Sequence, residues 1–97
     1  MTEAELKQYV KRIARMNGWA WHESTQNRIV RPIKGQANGF PDMFLVRDGV
    51  LLFFELKTDD GFQSEDQYRW QVLLGSLYHI IRPKHVDNRL VELLAPH

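Results

Sequence analysis

Apolar residues recur at helical spacing from Leu6 through Tyr9, Val10 and Ile13 to Met16, which predicts a helix over residues 2–17 that Gly18 ends. Thr2 and Glu5 have capping-box spacing at its start, and Lys7, Lys11 and Arg15 follow at four-residue steps as a solvent-facing cationic stripe. Residues 19–22 and 28–31 then read as short strands around a polar turn, followed by a glycine-containing loop over 35–41. Two strongly apolar runs, 42–46 and 50–57, are joined by Asp48-Gly49, one of the strongest short hairpin signals. After a polar loop, Ser64 is placed to cap a helix reaching about residue 76, with Gln67 positioned for a second capping box. Trp70, Leu73, Leu74 and Leu77 are its expected buried stripe. A strand over 78–82, a break at Pro83 and a short closing helix marked by Val86, Leu90, Leu93 and Leu94 complete the chain. The order is α, several β, α, β, α. With no repeat and no linker, residues 1–97 are expected to form one small α/β domain.

A chain of 97 residues is too short to enclose two cores, in agreement with that reading. Cysteine is absent, so a bound metal would have to use carboxylates, carbonyls, imidazoles and water, a donor set that favours magnesium or manganese. His22, His79, His85 and His97 show no ligand spacing. No stretch approaches the roughly 20 apolar residues of a membrane span, and MTEAELKQ lacks the pattern of a secretion signal. A cytoplasmic, nucleic-acid-associated location, in a bacterial cell or a phage-infected host, is therefore expected, with no membrane partner. Charge is uneven: residues 1–36 carry seven Lys or Arg against three acids, and residues 37–97 carry six against nine.

The candidate chemistry lies in the hairpin. A two-residue turn at Asp48-Gly49 sets Arg47 opposite Val50, and continuing that register brings Asp42 opposite Glu55. Facing residues have Cβ atoms about 5 Å apart, and like charges so placed repel unless something neutralises them. Lys57 projects from the same strand face as Glu55 because side chains alternate. Val50 to Phe54 are apolar on both faces, as in a covered central strand, where an unpaired carboxylate costs several kcal/mol. Two alternatives stay open. Glu55 and Lys57 could form a simple ion pair at an exposed strand end, and a three-residue turn would slide the register and turn Glu55 away from Asp42.

Gly39-Phe40-Pro41-Asp42, Glu55-Leu56-Lys57 and Ser64-Glu65-Asp66-Gln67 with Trp70 following resemble the motifs of the virus-type replication-repair nuclease (VRR-NUC) domain, within the PD-(D/E)XK nuclease superfamily. The resemblance spans nearly the whole chain, and its weight lies in the ordered set rather than in any one motif. It implies a restriction-endonuclease-like core, a mixed central sheet flanked by helices. It also implies that Asp42, Glu55 and the backbone carbonyl of Leu56 bind magnesium or manganese, that Lys57 orients or activates water, and that Gln67 points at the site. Gln67 has an equally good explanation as the partner of Ser64 in the cap, and one side chain does not easily do both. Glu5 resembles an acid on the superfamily's first helix that completes the metal shell, although the cap with Thr2 explains it slightly better.

Arg31 and Lys34, with Arg28 and Ser64 as further candidates, are the expected DNA contacts beside the glycine-containing loop. Trp19 and Trp21 could stack on bases, but alternate positions on a short strand favour core. The sequence thus points to a metal-dependent DNA endonuclease cutting Holliday-junction-like or other branched DNA. So small a core suggests a homodimer. The competing readings are a non-catalytic nucleic-acid-binding or assembly module with a remnant site, and a small-molecule enzyme with a magnesium site.

Overall fold

The computed structural model describes residues 1–24 and 39–95; the strand expected over 28–31 and the candidate contacts Arg28, Arg31 and Lys34 lie outside them. Helix α1 (Glu3–Met16) begins with a complete capping box: the Thr2 hydroxyl accepts the Glu5 N–H at 3.1 Å, and the Glu5 carboxylate accepts the Thr2 N–H at 2.9 Å. Two backbone donors that the first helical turn leaves open are thereby satisfied. Leu6, Val10 and Ala14 form its buried stripe.

Strands β1 (Ala20–Glu23), β2 (Met43–Arg47) and β3 (Val50–Leu56) run antiparallel in that order, and β4 (Tyr78–Ile81) adds parallel to β3. The parallel pairing requires a crossover, supplied by α2 (Glu65–Leu74) and the tight turn Gly75–Leu77. A tight turn at Pro83–His85 then leads into helix α3 (Arg89–Leu94). Asp48 and Gly49 take φ values of +50° and +81°, as a two-residue type I′ turn demands. Arg47 accordingly pairs with Val50 and Met43 with Phe54, the register expected from the sequence.

Met43, Leu45, Leu52, Phe54 and Leu56 alternate onto one sheet face and join Leu6, Val10, Leu90 and Leu94 in the core, so α1 and α3 cover that side. The opposite face carries Phe53, against which Phe40 packs edge-on at 5.8 Å; Phe40 in turn meets Trp70 of α2 at 4.9 Å. Trp19 is core, 3% exposed, and its indole N–H donates to the Leu94 carbonyl at 2.9 Å. Trp21 packs partly against the same cluster. Arg47 lies over the Trp19 ring and donates to the Asn17 and Ala95 carbonyls at 2.8 Å each, tying the hairpin to the ends of α1 and α3. These contacts make one small α/β domain with a mixed four-stranded sheet. Among the described residues, no helix is long and apolar enough to cross a membrane.

Two expectations are corrected. Helix α2 buries none of its residues: Trp70 and Leu74 are half-covered, while Leu73 is 68% exposed and Leu77 39%. The reason is rotation: Gln67, Trp70, Gln71 and Leu74 lie on one side of the helix, and Leu73 falls about 100° away from Leu74. The cationic stripe of α1 faces solvent at Arg15, as expected, but not at Lys7 and Lys11, which are partly covered. Lys7 and Lys11 meet Glu23 of β1 at 3.7 Å and 2.9 Å, and the Arg15 guanidinium sits 5.5 Å from the Trp21 ring centre.

Candidate active site

The apolar character of β3 ends in charge. Glu55, the last residue but one of that strand, is 2% exposed, the one charged side chain among the described residues buried to that degree. Extension of the hairpin register brings Asp42 across from it, and the Asp42 carboxylate anchors itself by accepting the Leu56 N–H at 2.8 Å. Lys57 reaches the same carboxylate group from the strand end, its Nζ 3.7 Å from Glu55 Oε2. Asp42, Glu55 and Lys57 therefore converge as expected, and the alternative of a solvent-exposed ion pair does not hold because Glu55 is buried.

Gln67 serves the cap and the site together. Its Oε1 accepts the Ser64 N–H at 2.8 Å while its Nε2 donates to Glu55 Oε2 at 2.7 Å. The expectation that one side chain could not easily do both fails on the chemistry of an amide, which presents an acceptor and a donor on opposite arms. Ser64 is spent on the same cap, its hydroxyl accepting the Gln67 N–H at 3.1 Å.

Gly39 explains why the first and third motifs belong together. It adopts φ +72°, and a Cβ placed on it would stand 2.5 Å from the Asp66 carbonyl carbon and 2.6 Å from the Gln67 nitrogen. Only glycine lets the loop entering Asp42 press against the first turn of α2. Behind Lys57, Arg82 donates to the carbonyls of Thr58 and Gly61 at 2.7 Å and 2.9 Å, fixing a turn that walls the lysine stem. Sequence reading had not assigned Arg82 this role; the signal was an arginine at the end of the strand next to β3.

Asp42 and Leu56 also line a pocket of about 200 Å³ together with Glu3, Ala4 and Lys7 of α1. The acid that α1 turns toward the site is thus Glu3, whereas Glu5 is held in the cap with Thr2. Glu3 and Lys7 were legible in principle. They lie one turn apart and directly beside the buried stripe of Leu6 and Val10, a placement that the reading of Lys7 as outward-facing passed over.

Glu55 Oε1 is buried with no donor. Burial, then the charge and acceptor of the neighbouring Asp42, push the Glu55 carboxyl up to about 9, and Lys57 offsets only part of this. A carboxyl so placed takes up either a proton or a cation. The donor set fits a hard ion: two carboxylates, one with an orphaned oxygen, beside a pocket that Leu56 and Glu3 also line. Among the described residues, no three acidic or histidine side chains form a ready cage, so remaining ligands would come from backbone carbonyl and water. The described histidines have other partners: His85 Nδ1 accepts the Arg82 N–H at 2.9 Å, His79 packs edge-on against Phe54, and the His22 ring lies against Phe44. No family model, curated protein or solved structure matches the chain.

Proposed function

We propose that the chain is a divalent-metal-dependent DNA endonuclease of the VRR-NUC type, with a restriction-endonuclease-like core, acting in the cytoplasm on Holliday-junction-like or other branched DNA. The observation that carries the reading is the buried Glu55 carboxylate, with one oxygen lacking any donor, set beside Asp42 and Lys57. A structural ion pair needs neither that burial nor a second carboxylate next to it. Asp42, Glu55 and the Leu56 carbonyl hold magnesium or manganese in this reading. When bound, the ion supplies Lewis acidity, polarising the scissile phosphate and acidifying water.

The protein's own groups do the rest. Lys57 Nζ donates a hydrogen bond to the attacking water and stabilises charge on the phosphate oxygens. Water adds to phosphorus in line and releases a proton to solvent, the bond to the leaving sugar oxygen breaks, and that oxygen takes up a proton from solvent. Gln67 holds Glu55 in place through its 2.7 Å bond and does not touch substrate. Arg28, Arg31 and Lys34 complete the proposal as backbone contacts. A homodimer is part of the proposal, and the exposed Tyr68, Val72 and Leu73 of α2, with Leu77 in the turn after it, offer apolar surface for it.

The test is cleavage of plasmid, flap and four-way-junction DNA with magnesium or manganese, run beside Lys57→Ala and Asp42→Asn. Each variant is expected to lose cutting by about 100-fold or more. Retained DNA binding with no cutting of any substrate would leave the binding module. No DNA affinity at all would leave the small-molecule enzyme.

A further inference from the structure

The pocket beside Asp42 holds a cation that the nuclease reading does not use. Lys7 is the one basic residue among those lining it, one helical turn after Glu3, on the α1 side of the site. Lys57, which the nuclease reading already uses, approaches the site from the end of β3, 3.7 Å from Glu55. The ordinary explanation for Lys7 is its ion pair with Glu23. That pair is the weaker of two: Lys7 stands 3.7 Å from Glu23 Oε1, whereas Lys11 holds Oε2 at 2.9 Å. Lys11 is correspondingly the first cause of the lowered Glu23 pKa, with Lys7 behind it. Glu23 thus keeps its main partner when Lys7 turns away, and the Lys7 ammonium can swing on its long stem without leaving a bare charge behind.

We propose that Lys7 binds a backbone phosphate of the nucleic acid strand, on the α1 side of the scissile position. The ligand class is a phosphodiester oxygen. The contact is a single ammonium, carrying charge and no sequence preference. The proposal rests on the nuclease reading, because it assumes a strand lying along the Asp42 and Glu55 site. It sets the direction of that strand across the molecule: from the Lys57 turn, over the carboxylates, toward the first two turns of α1.

The experiment compares wild type, Lys7→Gln and Lys11→Gln for binding of a fluorescent four-way junction, with calcium in place of the catalytic ion. Dissociation constants are taken across a salt series. Each lysine touching a phosphate contributes roughly 0.9 to the slope of log affinity against log salt. The expected result is that Lys7→Gln lowers the slope by about one and weakens binding about tenfold at low salt, while Lys11→Gln leaves the slope unchanged. Lys7→Arg is expected to restore it. A wild type that binds with a steep salt dependence and a Lys7→Gln variant with the same slope would overturn the proposal and leave the nuclease reading intact. Equal slope losses in Lys7→Gln and Lys11→Gln also overturn it, since that pattern belongs to a diffuse basic stripe. Absence of any junction binding by the wild type overturns both readings together.

Discussion

Two helices of this protein start with the same device, and only one of the two residues that close it reaches the site. Thr2 with Glu5 and Ser64 with Gln67 make reciprocal capping boxes of nearly equal geometry, hydroxyl to backbone N–H at 3.1 Å in both. At α1 the closing residue is a carboxylate, which only accepts, and both its role and its charge are consumed at the helix end. At α2 the closing residue is an amide, so one arm completes the cap and the other donates to Glu55 at 2.7 Å. The difference teaches that the spacing of a cap says where a helix begins, while the choice between Glu and Gln says whether that beginning can also support a carboxylate. A glutamate in place of Gln67 would face Glu55 with an acceptor; a glutamine there orients it.

The comparison breaks hardest where the second box is seated. Gly39→Ala forces a methyl group to within 2.5 Å of the Asp66 backbone and holds a non-glycine residue at φ +72°. The overlap belongs to the small class of substitutions above about 4 kcal/mol, and a fall in Tm on the order of 20 °C is expected by calorimetry. Among the described glycines, none presses on the α1 cap in this way. A Tm within about 5 °C of wild type would show that the loop and α2 do not meet as described.

Next in size is Gln67→Glu, which keeps the acceptor for Ser64 and removes the donor to Glu55. Helix content and Tm are expected to hold. Manganese affinity and cleavage fall by about 10- to 100-fold, the range for partners that orient metal ligands. The matched change Glu5→Gln preserves the α1 cap and is expected to leave both unchanged. Isothermal titration with manganese separates the two variants even where cleavage is too slow to follow, and equal affinities for both would dissolve the distinction between the caps.

How far the sequence foretold these features depends on what kind of interaction each one needs. The register of β2 and β3 was legible because Asp48-Gly49 fixes the turn, and every later pair down to Met43 with Phe54 follows from that turn by alternation, which sets Asp42 next in line beside Glu55. The core face of α1 was legible for the same local reason. The burial of α2 was not, because Leu73 and Leu77 fit a helical period while the sheet decides which side of the helix is covered. Gly39 could be seen as a loop glycine, but its contact with Asp66 joins residues 27 positions apart and has no local signature. Lys7 was read as part of an outward stripe since the pocket it lines is formed by Asp42 and Leu56, from elsewhere in the chain.

The carboxylate that Gln67 supports gives a pH-dependent test. In metal-free buffer the Glu55 carboxyl titrates at about 9 when folded, against 4.5 for an ordinary glutamate. Below the lower value both states are protonated and the group's contribution to stability is complete. Between the two the unfolded chain ionises and the folded chain retains its proton, so stability falls as pH rises. Glu55→Gln has no proton to lose. Its Tm is expected to exceed that of wild type by a margin that widens from pH 5 to pH 9 in chelator and closes when manganese is added to the wild type. A margin constant across that range would mean that Glu55 is not held neutral by its surroundings.

The smallest expected effects sharpen the comparison most finely. Thr2→Ala and Ser64→Ala each remove a capping hydroxyl and each cost about 1 kcal/mol, or several degrees in Tm. Stability alone cannot tell the two boxes apart, since the lost bond is the same. Function can: Thr2→Ala frees one end of Glu5, which touches nothing at the site, and cleavage should stay at the wild-type rate. Ser64→Ala loosens the turn from which Gln67 reaches Glu55, so the same loss of stability should come with a few-fold drop in manganese affinity. Should the two variants lose affinity equally, α2 would be no more than a second capped helix, and the bond from Gln67 to Glu55 would carry no share of the site's order.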